Sequence, residues 1–146
     1  MITAVLDTNA LASGFRGVRN PVSTPGQIIQ AWNARQFQLV VSEHVLGELR
    51  RAFGTRYFTR YLSAQQIADA LRALEDEATL TPITAPVHGV ATHPEDDLIL
   101  ATAVSANASY LVTGDGPLQK LGAYEGVTIV SPREFLDILE AERGDV

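Results

Sequence analysis

A chain of 146 residues, 46% hydrophobic and 19% charged, has the apolar content for one self-supporting domain over 1–146; with no Cys, it excludes disulfides and thiolate metal sites. No apolar run nears the ~20 residues of a membrane span, and the N-terminus lacks a basic stretch followed by an apolar one, so a soluble, cytoplasmic protein is the expectation. The net charge of −6 counts against a nucleic-acid binder with a uniformly basic surface.

Ile2–Leu6 is a continuous apolar run that ends at Asp7, the pattern of a buried strand, and Asp7-Thr8-Asn9-Ala10 is predicted as the turn after it. A carboxylate there sits at the carboxyl end of a first strand, where open parallel sheets carry ligands and catalytic groups. Thr8 and Asn9 are short polar side chains able to orient it. The stretch Ser13–Thr24, rich in Gly, Pro and Arg, is predicted as a loop carrying Arg16 and Arg19, either facing substrate or serving as a connector. Thr24-Pro25 opens a helix towards Ala34.

Gln38–Ser42 reads as a second strand, with Ser42 capping a helix over Glu43–Phe53. The apolar stripe of that helix is Val45, Leu46, Leu49, Ala52 and Phe53, and Glu48 falls on its edge; Glu43 lies further round and is the weaker candidate. Arg50, Arg51, Arg56 and Arg60 cluster next, a local basic patch able to hold phosphates despite the overall sign. Ser63-Ala64-Gln65-Gln66 is a capping box for a helix to about Ala78. Leu80–Thr92 is predicted irregular, with a short extended piece near Thr81–Ile83. His44, His88 and His93 have no zinc-site spacing and read as surface or helix-end residues.

Pro94 precedes a helix from about Glu95 to Asn107 that is apolar nearly all round and therefore buried. Acids in its first turn sit at the rim of the core. Asp97 shares a face with Ala101 and Val104 and is preferred as the functional acid; Asp96 lines up with Leu100 and Ala103 and is the alternative. The strand Ser109–Thr113 runs into the turn Gly114-Asp115-Gly116-Pro117, and Val127–Val130 is the last strand. Ser131-Pro132-Arg133-Glu134 is a capping box opening a helix to about Glu142.

This alternation of strands and helices implies an α/β domain, a mainly parallel sheet covered by helices. Each acid has a bland explanation by itself: an Asx-turn at Asp7, a boundary position at Glu48, the helix dipole at Asp96 and Asp97, a turn at Asp115. Together they say more. Two carboxylates about 5 Å apart repel by roughly 3 kcal/mol at an effective dielectric near 20. Acids converging on one sheet edge therefore call for a cation, and oxygen-only ligands suit Mg²⁺ or Mn²⁺ better than Zn²⁺. The chemistry indicated is metal-dependent hydrolysis.

Val5-Leu6-Asp7-Thr8-Asn9, Ser42–Leu49, Glu95–Ala103 and Tyr110–Asp115, in that order and spacing over nearly the whole chain, resemble the PIN domain family, in particular its VapC-like bacterial and archaeal members. The resemblance implies a three-layer α/β/α sandwich and Mg²⁺- or Mn²⁺-dependent ribonuclease activity. The family's acidic quartet falls on Asp7, Glu48, Asp97 and Asp115, with Asp96 as the neighbouring alternative, Asn9 and Thr113 as supporting polar groups, and Arg16 and Arg19 as candidates for positioning the RNA backbone. It also implies a toxin of a toxin–antitoxin pair, held by a small antitoxin protein, and a homodimer. A haloacid-dehalogenase-like phosphatase would need a second acid where this chain has Asn9. A receiver-type phospho-acceptor would need a late lysine, and the only Lys, Lys120, follows Asp115 in a poor position. An inert module keeping the fold without catalysis is the remaining alternative.

Overall fold

Strand-forming runs come from the apolar segments recognised in the sequence. The computed structural model describes residues 1–144, in which β1 (Thr3–Leu6), β2 (Gln38–Val41), β4 (Tyr110–Val112) and β6 (Val127–Val130) are joined by two-residue strands, β3 (Thr79–Leu80) and β5 (Ala123–Tyr124). The six form one sheet in the order β3-β2-β1-β4-β6-β5, parallel throughout except for the antiparallel β5–β6 pair. Successive residues of a strand point to opposite faces. Ala4, Val5 and Leu6 are all fully buried, so both faces of the sheet are covered and the molecule is a three-layer α/β/α sandwich.

The helices α2 (Thr24–Asn33), α3 (Glu43–Phe53), α5 (Ala64–Glu77), α6 (Pro94–Ser105) and α8 (Pro132–Gly144) lie within a residue or two of their predicted spans. The caps of α3, α5 and α8 are those the sequence indicates, whereas α2 is capped by Ser23 and α6 follows His93 with no side-chain cap bond. Ser42 Oγ accepts from the Val45 amide at 3.3 Å, and Ser63 and Gln66 exchange both bonds of a capping box. Helix α6 packs on β1 and β4 with Ile99, Leu100, Ala101 and Ala103 buried, Val104 half-buried and Leu98 exposed. The irregular stretch before α6 is present, but the extended piece expected at Thr81–Ile83 is β3, at Thr79–Leu80.

Two expectations are corrected, and one element is added that the sequence reading did not address. Thr8–Gly17 is a helix, α1, where a turn and a loop were predicted, so Arg16 lies on a helix and Arg19 just beyond it. Gly116–Leu121 is a short helix, α7, capped by Asp115, rather than only a turn. Arg56–Thr59 forms a further helical turn, α4.

The helix α1 escaped sequence reasoning because Gly14 and Gly17 lower helix propensity. Their reason is close packing on α2. A Cβ on Gly14 would stand 2.5 Å from Ile29 Cγ1, and one on Gly26 of α2 would stand 2.1 Å from the Gly17 carbonyl oxygen. A backbone atom cannot swing aside as a side-chain tip can. Gly26→Ala is therefore expected to destabilise the fold by about 1–3 kcal/mol or more. Gly47→Ala on α3, whose Cβ would meet nothing nearer than Arg51 Nη1 at 3.8 Å, should be neutral or stabilising by up to about 1 kcal/mol. Urea midpoints of the two variants check this; equal midpoints would contradict the close-packing account.

Candidate active site

β1 has β2 on one side and β4 on the other, so the chain leaves β1 first to one flank of the sheet and later to the opposite flank. Such a reversal opens a crevice beyond the carboxyl ends of the two diverging strands. Asp7 follows β1 there and Thr113 follows β4. The Asp7 amide donates to the Val112 carbonyl at 3.0 Å, continuing the ladder. Thr113 Oγ1, fully buried, donates to Asp7 Oδ2 at 2.5 Å, and the Ala10 amide donates to Oδ1 at 2.8 Å, which makes Asp7 the N-cap of α1. Only 6% of Asp7 is exposed. Burial pushes its carboxyl above the ordinary aspartate range, the Thr113 and Ala10 bonds oppose that, and the charges of Asp96 and Asp115 push it further up.

An open cleft of about 360 Å³ lies in front, lined by Asp7, Thr8 and Asn9 at the start of α1, Glu48 and Arg51 on α3, and Asp96 at the start of α6. Thr8 Oγ1 donates to Glu48 Oε1 at 3.2 Å, and His44 Nε2 stands 2.9 Å from the same oxygen. Asp96 is raised by burial, then by Asp115; His93 lowers it, and Glu48 and Glu95 raise it again. Asp115 caps α7, its Oδ2 accepting from the Leu118 amide at 2.9 Å, while its own amide donates to Thr113 Oγ1 at 3.0 Å. One hydroxyl thus links Asp115 to Asp7.

Asp97 lies apart from this group. Its carboxylate accepts from the amides of Ala91 (2.7 Å), Gly89 (2.9 Å) and Val90 (3.1 Å). Those bonds, the Ala91 amide first, outweigh burial and hold its carboxyl below the usual range, with help from His88. The packed side of α6, on which the sequence placed Asp97, leads to the loop 89–91; the cleft lies on the Asp96 side. The structure therefore brings together Asp7, Glu48, Asp96 and Asp115.

Of the other sequence candidates, Asn9 is exposed at the cleft, whereas Arg16 and Arg19 do not line it. Arg16 donates to Tyr57 Oη, and Arg19 borders a separate recess beside Phe15 and Leu62. Sequence reasoning passed over Thr8 as a partner of Glu48, and over His44. The i, i+4 spacing of His44 to Glu48 on α3 was the available signal.

Among the described residues, no three Asp, Glu or His side chains are gathered tightly enough to hold a metal ion by themselves. That arrangement still fits Mg²⁺ or Mn²⁺. Mg²⁺ keeps several of its waters and takes one or two carboxylates together with substrate phosphate, rather than an all-protein cage. Asp7 and Asp96, hard oxygen donors whose charged forms are disfavoured by burial and by neighbouring acids, are the residues that would hold such an ion.

Asp7 and Asp97 act on stability in opposite senses. Asp97, with its lowered value, contributes stability that is present above the ordinary aspartate range and lost as pH falls through its folded value. Asp7, with its raised value, opposes folding near neutrality, and that cost relaxes as the carboxyl takes up a proton. In EDTA, Asp7→Asn should raise the melting temperature at about pH 7 and lose the advantage towards about pH 4. Asp97→Asn should lower it at neutrality, with the deficit narrowing on acidification. Thermal scans across that range test both; an Asp7→Asn protein no more stable than wild type at neutrality would contradict the burial cost.

A PIN domain family model matches residues 3–116, a span that includes Asp7, Glu48, Asp96 and Asp115. Among solved structures, VapBC2 from Rickettsia felis, crystallised bound to a DNA fragment from its promoter, superposes with a TM-score of 0.59 at 15% identity, covering 89% of this chain and 98% of that one. VapC20 from Mycobacterium tuberculosis, described as a sarcin-ricin loop cleaving toxin, superposes with a TM-score of 0.55 at 18% identity, covering 84% and 97%. At these identities the likeness is one of fold. No curated protein matches the chain in sequence. The family match over most of the chain, the parallel sheet and the two similar folds agree: the chain belongs to the PIN domain family.

Proposed function

We propose that this protein is an endoribonuclease dependent on Mg²⁺ or Mn²⁺, acting as the toxin of a VapBC-type pair. The observation that carries the reading is the convergence of Asp7, Glu48 and Asp96 on an open cleft at the carboxyl edge of β1 and β4, with Asp115 close enough to act electrostatically on Asp7 and Asp96. A bound ion would supply Lewis-acid chemistry for phosphodiester hydrolysis. Asp7 and Asp96 would hold it, Asp7 in the rotamer that Thr113 and Ala10 impose. Glu48, with Oε1 engaged by Thr8 and facing His44, has Oε2 to orient the attacking water and receive its proton. Asp115 completes the acidic ring through Thr113, and Arg51 at the cleft balances phosphate charge.

The similar VapC20 structure is named for cleaving the sarcin-ricin loop, which supports an RNA substrate here, and the likeness to VapBC2 supports a small antitoxin partner. A homodimer is part of the same proposal. Among the described residues no helix is long and apolar enough to cross a membrane.

Incubating a panel of tRNAs and synthetic RNAs with Mg²⁺, Mn²⁺ or EDTA tests the reading. Wild type should cut only with metal, and Asp7→Asn should fall to background. Asp96→Asn should lose more activity than Asp97→Asn, reversing the order preferred from sequence. Thr113→Val, which removes the hydroxyl that orients Asp7, should lose about 10–100-fold. Cutting that survives Asp7→Asn would sink the assignment, and a folded wild type that binds metal and cuts nothing would favour an inert PIN-fold module.

A further inference from the structure

The segment that leaves the cleft wall carries two exposed tyrosines. Thr55, which lines the cleft, is the residue before α4, and Tyr57 lies within that helical turn with Tyr61 just beyond it. The segment commits one of its aromatics, Phe58, to the core, edge-on to Phe53 with ring centroids 5.9 Å apart. Tyr57 and Tyr61 stay outside it, 53% and 47% exposed, in edge contact with each other at 5.5 Å. Arg16 reaches across from α1, donates to Tyr57 Oη and lays its guanidinium 3.6 Å from the Tyr61 ring centre. Two rings and a guanidinium plane are thereby held at the surface by contacts with one another.

Charge points the same way. Arg50 pairs with Glu75, and Arg133 with Asp137 and Glu140. Among the described residues, Arg16, Arg51, Arg56 and Arg60 enter no salt bridge, although the molecule carries a net charge of −6 and 17 carboxylates. All four are exposed. Exposed aromatic faces among unneutralised arginines are the combination by which proteins hold single-stranded nucleic acid, with bases on the rings and phosphates on the cations. An acidic protein segment would use the arginines and have no need of the rings.

We infer that Tyr57, Tyr61 and Arg16 form a stacking platform for unpaired bases of an RNA strand, with Arg51, Arg56 and Arg60 leading its backbone to the acidic cleft. The inference rests on the nuclease reading for its substrate class and adds the residues that select single-stranded over duplex RNA.

Fluorescence anisotropy of labelled oligoadenylate, in EDTA so that nothing is cut, tests it with the full chain. Wild type should bind the single strand more tightly than a duplex of equal length. Tyr57→Leu and Tyr61→Leu keep apolar volume and remove the π face; each should weaken binding about 5- to 150-fold. Tyr61→Trp should keep the affinity, which separates loss of stacking from loss of folding. Arg56→Gln and Arg60→Gln should each lower the slope of log affinity against log salt by about 0.7. Single-strand binding that is absent, that ignores the leucine variants, or that polyglutamate displaces as well as RNA does would overturn the platform. Metal-dependent cutting with an unchanged KM in the leucine variants would do the same while leaving the nuclease assignment standing. Ring-dependent binding by a protein that cuts nothing would remove the nuclease assignment and keep the platform.

Discussion

The carboxylate of Asp7 is withdrawn from water at the end of the central strand, and the surrounding elements are fitted to that constraint. Burial disfavours its charge, so every neighbour that touches it has to donate. The Ala10 amide does so because α1 begins there, and Thr113 does so because β4 lies beside β1 in register, with Leu6 opposite Val112. A one-residue slip of β4 would turn the hydroxyl to the other face of the sheet and leave the acid unsatisfied. The parallel pairing at the centre of the sheet and the seating of the acid at its edge are thus one requirement.

The first turn of α6 separates two tasks between adjacent acids. Successive helical residues point about 100° apart, so Asp96 and Asp97 cannot face the same surroundings. Asp97 is spent on architecture: three amides from the loop 89–91 converge on it, and they fix where α6 begins. Asp96 then has its direction set by its neighbour, towards Glu48 and Asp115. A strong anchor beside a strained charge lets that charge stay where repulsion would otherwise move it.

Most of this framework is legible in the sequence, because caps and apolar runs are local signals. Ser42, Ser63 and Ser131 each mark a helix start correctly, and the four principal strands lie in the predominantly apolar segments the sequence offers. The helix α1 is not legible, since the reason for Gly14 and Gly17 lies at α2, in the side chains of Ile29 and of Ser23, the residue that caps it. The different surroundings of Asp96 and Asp97 are not legible for a similar reason. What divides the two is an irregular loop with no periodicity to read, and its amides become visible as partners only in three dimensions. Asp115 shows the opposite case: Gly116-Pro117 signals a turn, yet Pro also suits the first turn of a helix, and the same letters serve both.

The ends of the sheet have their own consequence. Both border strands are two residues long: β3 has both residues exposed, and β5 runs against the direction of all the others. An unpaired ladder is a template on which further chains can polymerise, and shortening it is one of the ways natural sheets avoid that fate. With four parallel strands inside and only short stubs at the borders, a strongly hydrophobic sheet presents little open ladder from which fibrous aggregates could be seeded.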